Sequence, residues 1–241
     1  MNVNKSIIIN LFLIVGLCWN INAQQYHVGD LYSFPDGSQG IVFYLNSDNN
    51  GGCAVALWES SIGCPWGTGS DIPSLVNRNP SINYQQLLYD TTGYTSTQII
   101  RAFQNNSNVY AAGVMDFHSG WYLPSAAQLR ILFSQLPFVT SSILEAGGEG
   151  MAYDWYWSST EYSAFNAWRV DFSSNANSGM FMNVPKTNSH RVRAIRTFSI
   201  DQEQNVHYLW STEDTVSSIE IFPQQTSTYT VEVSMSGGCN D

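Results

Sequence analysis

The sequence predicts an α+β domain, helices packed on antiparallel sheet, followed by a short all-β appendage. Three observations predict it. Strand-like runs recur through the first 198 residues, two segments between them carry apolar residues at helical spacing, and the charge balance shifts near residue 198. Gln24–Phe198 holds 12 acidic and 8 basic residues, whereas Ser199–Asp241 holds 7 acidic and none basic. That shift sets the predicted boundary: 1–23 a leader, 24–198 the α+β domain, 199–241 the β segment.

The leader comes first. Met1–Lys5 carries one positive charge, Ser6–Trp19 is an apolar run, and Ile21-Asn22-Ala23 ends on a small residue. This is the pattern of a secretory signal cleaved after Ala23. The run falls short of the roughly 20 apolar residues a bilayer span needs, so no membrane span is expected after cleavage. Leu17 before Cys18 does not fit a lipoprotein signal.

"GIVFYL" (Gly40–Leu45) and "CAVALW" (Cys53–Trp58) read as strands joined by a turn at "NSDNNGG". "TSTQIIRAFQN" (Thr95–Asn105) places Ile99, Ile100 and Phe103 on one helical face. In "LPSAAQLRILFSQL", Ser125 and Gln128 have the spacing of a capping box, and Leu129, Leu132, Phe133 and Leu136 repeat at i, i+3, i+4 and i+7. From Asn166 to Phe172 the period changes to two. Trp168, Val170 and Phe172 face the core, while Ala167, Arg169 and Asp171 face away. "HRVRAIRTF" alternates likewise, placing Arg191 and Arg193 where they could meet Asp171 or Glu161 across strands. In the appendage, Ile219/Ile221 and Tyr229/Val231/Val233 alternate as two strands around Pro223. Two strands are marginal alone, so either the chain is a fragment of a longer protein or the tail docks on the larger domain.

Three cysteines follow the leader. Ten residues separate Cys53 from Cys64. In an oxidising compartment a disulfide between them is the natural reading, stabilising by about 3 kcal/mol, with two free buried thiols as the alternative. Cys239 is left over.

Composition excludes several function classes. The chain's formal net charge is −10, and losing Lys5 with the leader makes it more negative, so a phosphate backbone is repelled and no nucleic-acid partner is expected. His27, His118, His190 and His207 are scattered without metal spacing. There is no phosphate-cradling loop and no G-x-S-x-G turn. Glu145, Glu149, Asp154 and Glu161 could flank a glycosidic bond, but loop carboxylates are usually just solvated. No cofactor and no enzymatic activity are expected.

In order, "GIVFYL", "GWYLPSAAQLRILF", "YWSSTEYSAFNAWRVDFSS" and "HRVRAIRTF" resemble the C-terminal domain of Legionella collagen-like proteins and the related Fibrobacter succinogenes major paralogous domain. The resemblance covers about Tyr26–Phe198. It implies a C-type lectin-like fold, two helices on a mixed antiparallel sheet with paired terminal strands, in a secreted or surface protein linked in some members to adhesion and glycan binding. The Glu-Pro-Asn, Gln-Pro-Asp and Trp-Asn-Asp triplets of calcium-dependent lectins are absent, so calcium is not implied. "GWYLPSAAQL" is also similar to a helix start in formylglycine-generating enzymes, whose late reactive cysteine pair this chain lacks. "YLWSTEDTVSSIEIFPQQTSTYTVEVS" (Tyr208–Ser234) resembles the central strands of immunoglobulin- or PKD-like repeats in secreted Bacteroidota proteins.

The expected function is therefore an adhesin-like module that binds a glycan or a surface protein, with a purely structural array domain as the alternative. In lectin-like folds the irregular loops before the last strands form the recognition surface. Here they bring forward Trp155, Tyr156, Glu161, Asn166, Asn183 and Asn188. An aromatic face beside amides and carboxylates suits a sugar, whose C–H face stacks while its hydroxyls find donors and acceptors. The competing expectation is that Trp155 and Tyr156 pin their loop to the core.

Overall fold

The computed structural model describes residues 8–12, 25–75, 87–174, 178–200, 205–215, 219–220 and 227–236. The chain divides into two compact units, Tyr26–Ile200 and the two flanks Met1–Gln25 with Asp201–Asp241.

The larger unit contains two sheets. The first has four strands, β2 (Leu31–Ser33), β3 (Gln39–Leu45), β4 (Gly51–Ala56) and β10 (Ile195–Ser199), in the order β10-β4-β3-β2, all antiparallel. The second has five, in the order β5-β9-β6-β7-β8: β5 (Ser61–Pro65), β6 (Trp155–Glu161), β7 (Asn166–Asp171), β8 (Phe181–Pro185) and β9 (Ser189–Val192). Its β6–β9 contact is parallel and the rest antiparallel. Consecutive strands β9 and β10 belong to different sheets, so Arg193 and Ala194 form the crossing.

Helices α1 (Gly93–Phe103), α2 (Ala126–Ser134) and α3 (Leu136–Glu145) lie in the long connection between β5 and β6. The capping box starts α2 as its sequence predicts. Ser125 Oγ accepts from the Gln128 N–H at 3.2 Å, and Gln128 Oε1 accepts from the Ser125 N–H at 2.9 Å. Leu129 and Leu132 are fully buried, while Phe133 and Leu136 are half-buried against the same core. That core is one cluster drawing on both sheets, with Val42, Phe43 and Val55 from the first and Tyr156, Trp157 and Val170 from the second.

The predicted α+β class, with its lectin-like arrangement, is overturned. Among the described residues the chain is mainly β, about 20% helical, and the strands of the larger unit form two sheets rather than one. The terminal strands β2 and β10 occupy opposite edges of their sheet instead of pairing. The cause is physical: β2, β5 and β8 are three to five residues long, and β5 and β8 end on proline. Segments so short and interrupted show no alternation to read, so the β content was underestimated.

The predicted disulfide is corrected as well. Cys53 on β4 and Cys64 on β5 are buried free thiols in different sheets. Burial pushes the Cys53 thiol up to about 11, keeping it protonated and unreactive. Cys239 lies outside the described residues.

The smaller unit is a three-stranded sheet, β1-β12-β11. It comprises β1 (Ile8–Phe12), β11 (Asn205–Trp210) and β12 (Thr228–Ser236), with β1 parallel to β12 and β11 antiparallel to it. Strand β12 spans the predicted Tyr229–Val233 strand. Its antiparallel partner among the described residues is β11; Ile219 is outside any strand, and Ile221 lies outside the described residues. Strand β1 falls within the stretch read as a leader.

Candidate functional site

Four of the six residues singled out from the sequence, Trp155, Tyr156, Glu161 and Asn166, lie on the hairpin of β6 and β7, while Asn183 is on β8 and Asn188 in the turn after it. β6 and β7 pair in the register Trp155↔Asp171, Tyr156↔Val170 and Trp157↔Arg169, and then, after an irregularity, Glu161↔Ala167. Trp155 and Glu161 thus stand at opposite ends of β6, roughly 20 Å apart at about 3.3 Å per residue. They do not form one site.

At the Trp155 end the aromatic run is largely packing. Tyr156 is fully buried; its hydroxyl donates to Glu59 Oε1 at 2.5 Å and accepts from the Ala152 N–H at 2.9 Å. Trp157 is fully buried and its Nε1–H donates to the Cys64 carbonyl at 2.9 Å. Trp168 is 4% exposed, with Tyr162 and Phe181 edge-on to its ring. Trp155 is half-buried, and the Arg169 guanidinium lies 3.8 Å from its ring centroid. Arg169 also reaches His190 Nε2 at 3.0 Å and Met182 Sδ at 3.3 Å. Burial, reinforced by the Arg169 charge, holds the His190 imidazole down at about 4, so near neutral pH it accepts from Arg169.

The arginines of the closing segment choose other carboxylates than the sequence pattern implies. Arg191 Nε bonds Asp154 at 3.1 Å, and buried Arg193 lies 3.3 Å from Glu59, also donating to the Ala56, Glu149 and Gly150 carbonyls. Of the predicted amides, Asn166 Nδ2 donates to Asn183 Oδ1 at 2.9 Å across β7 and β8. Asn188 is exposed in the β8–β9 turn. Among the carboxylates weighed for glycoside cleavage, Glu145 and Glu149 are exposed, Asp154 is held by Arg191, and Glu161 is sealed in.

At the Glu161 end the ladder breaks. Four steps along β6, from Trp157 to Glu161, face only two along β7, from Arg169 to Ala167. A regular strand alternates sides; this bulge lets three consecutive residues, Ser159, Thr160 and Glu161, line one cavity of about 180 Å³. Asp90 and the first turns of α1 close it from the other side. Asp90 Oδ1 accepts from the Thr92 N–H at 3.0 Å and the Thr92 hydroxyl at 2.5 Å, and Oδ2 accepts from Thr160 Oγ1 at 3.1 Å. The Asp90 carbonyl accepts from the capping Ser125 hydroxyl, which ties the cavity to the start of α2. Gly93 permits that approach: a Cβ there would meet Gln128 Oε1 at 2.3 Å and the Ser125 nitrogen at 2.9 Å.

Behind the cavity, Glu161 forms an ion pair with Lys186, both side chains fully buried. Lys186 also donates to the Ser70 carbonyl at 2.7 Å and sits 4.8 Å from the Trp66 ring centroid. Burial pushes the Glu161 carboxyl up, and the Lys186 ammonium opposes it. Two buried polar atoms here make no hydrogen bond, Ser159 Oγ and Glu161 Oε2. Sequence reasoning named Glu161 but missed Asp90, Ser159, Thr160 and Lys186. The available signal was the polar run Ser158-Ser159-Thr160-Glu161, which breaks the alternation a strand beginning Trp-Tyr-Trp would continue.

Among the described residues no group of three or more histidine, cysteine or acidic side chains could hold a metal ion, and no helix is long and apolar enough to cross a membrane. No family model and no curated protein sequence matches the chain. A solved structure similar to it is a fimbrial protein from Bacteroides ovatus, 16% identical with a TM-score of 0.48, the match covering 72% of this chain and 49% of that one. This chain therefore spans about half of that protein, and a likeness of this size assigns neither fold nor activity.

Proposed function

We propose that the Tyr26–Ile200 unit is a non-catalytic, adhesin-like module of a secreted or surface-exposed protein, and that it recognises a glycan or a glycan-bearing surface protein. The leader-like N-terminus supports the location. The resemblance of its motifs to domains of secreted and surface proteins supports the class, and membership of that family is part of the proposal. The observation that carries the reading is the face formed by Trp155, Arg169 and His190. A half-buried indole with a guanidinium 3.8 Å from its ring centroid places an aromatic ring and a charged group together, the pairing that suits a sugar's C–H face beside its oxygens.

Trp155→Ala tests it, because the indole is not sealed in the core. In the full chain, binding to a glycan array or to glycan-bearing cells is expected to fall at least tenfold while the melting temperature stays nearly unchanged. If the variant unfolds, Trp155 is a packing residue. If the unmodified chain binds no glycan or cell surface, the structural-array reading takes the place of this one.

A further inference from the structure

The geometry points to a self-modification site: inside the fold, Glu161 and Lys186 condense into an intramolecular amide that replaces the ion pair between them. The inference rests on neither the Trp155 face nor glycan binding.

Position is the first argument. Lys186 Nζ donates to Glu161 Oε1, which puts the amine one oxygen away from the carboxyl carbon it attacks, and both side chains are 0% exposed. Two groups held together in this way react as though concentrated to about 10⁵–10⁸ M when their orientation is good. Solvent does not reach the pair, so bulk water neither solvates the two charges nor competes for the acyl carbon.

Charge is the second argument. An ion pair taken wholly out of water is costly to keep, because each ion has given up its hydration. Here the ammonium sits 4.8 Å from the Trp66 ring centroid, and Glu161 Oε2 is buried without a hydrogen bond. Burial pushes the Glu161 carboxyl up, toward the protonated form whose hydroxyl can leave. A proton passed across the contact yields a carboxylic acid and a free amine, the two forms that condense. The other buried pair among the described residues, Arg193 with Glu59, has no such route, since a guanidinium keeps its proton.

The atoms balance without any co-reactant. A bond forms between Lys186 Nζ and Glu161 Cδ, and one Cδ–O bond breaks. That oxygen leaves as water with two of the three ammonium protons, and nothing is oxidised or reduced. The third proton stays on the amide nitrogen, where the Ser70 carbonyl, 2.7 Å from Nζ, accepts its hydrogen bond. No buried charge remains. Until the bond closes, the two residues act as the ion pair. Glu161 ends β6, Lys186 follows β8, and β7 lies between those strands. The amide therefore fastens the short edge strand β8 to the interior of its sheet.

The test is the intact mass of the folded full chain, which should be lower by one water than its residues sum to. Trypsin should release a branched peptide joining Ile131–Arg169, which carries Glu161, to Val170–Arg191, uncut after Lys186. Fragmentation of that peptide places the bond. Chain recovered from inclusion bodies in denaturant and never refolded should keep its full mass, because the contact has not formed. The Lys186→Arg variant should keep its full mass too, having charge but no amine. The inference is overturned if the folded chain has its full mass and trypsin cuts after Lys186, or if the lost water maps to any other site. It is equally overturned if the unfolded chain or Lys186→Arg loses the same water. A Lys186→Arg chain that misfolds leaves the decision with the unmodified protein, whose mass and peptides suffice.

Discussion

The two ends of β6 are built from the same strand and do opposite things. At the Trp155 end the strand keeps its register with β7, and each side chain is assigned a side by the pleat. Tyr156 and Trp157 therefore disappear into the core with their polar tips bonded. At the Glu161 end two extra residues break that assignment, and three consecutive polar residues border one space. Regular pairing commits side chains to packing; a bulge frees them to converge. The aromatic richness of the run is thus a property of the committed end, and the buried polar residues gather at the freed one.

The comparison is broken most severely by Trp157→Ala. Removing a fully buried indole and its bond to the Cys64 carbonyl should cost about 3–5 kcal/mol in chemical denaturation. At the other end, Lys186→Met should cost a similar or slightly smaller amount, about 3–5 kcal/mol, because it strands the buried Glu161 charge. The informative variant is the double change Glu161→Gln with Lys186→Met. A buried pair replaced as a unit is close to neutral, so most of the lost stability should return. If the double variant is no better than the single one, Lys186 acts through its bond to Ser70 and its contact with Trp66 instead.

The smallest effect concerns pH. In the fold His190 titrates near 4, below the 6.5 of a free imidazole, so between these values the unfolded chain takes up a proton that the folded chain refuses. Stability should therefore rise as pH increases from about 4 to 6.5 and level off above. His190→Asn should flatten that part of the melting-temperature profile; an unchanged profile would mean that the Trp155 face holds no buried imidazole.

Much of the framework was legible because its signals are local. The Ser125/Gln128 capping box, the apolar face of α2, the turn between β3 and β4, and the burial of Trp168, Val170 and Phe172 each depend on residues a few positions apart. What failed depends on distant residues. Ala167 and Asp171 were read as solvent-facing, yet both are fully buried, because a strand's period shows that it has two faces and not that both are covered. Glu161 was named as a candidate ligand contact alongside Trp155 and Asn166, but its partners in the fold are others. Its partner Lys186 is 25 positions away and its companion Asp90 is 71, and nothing near Glu161 in sequence announces either. The cysteines illustrate the same limit. Their spacing suits a closed loop, but β4 and β5 carry them into separate sheets.

The crossing between β9 and β10 has a bearing on how the chain is made. Strand β10 is an edge partner of β4, and β9 sits between β5 and β6, so both sheets wait on residues 189–199. Pairings that span more than a hundred residues form slowly, since the intervening loop must be closed before any contact repays it. A nascent chain that has not yet delivered this segment cannot complete either sheet. Both sheets therefore close only once its last strands have followed.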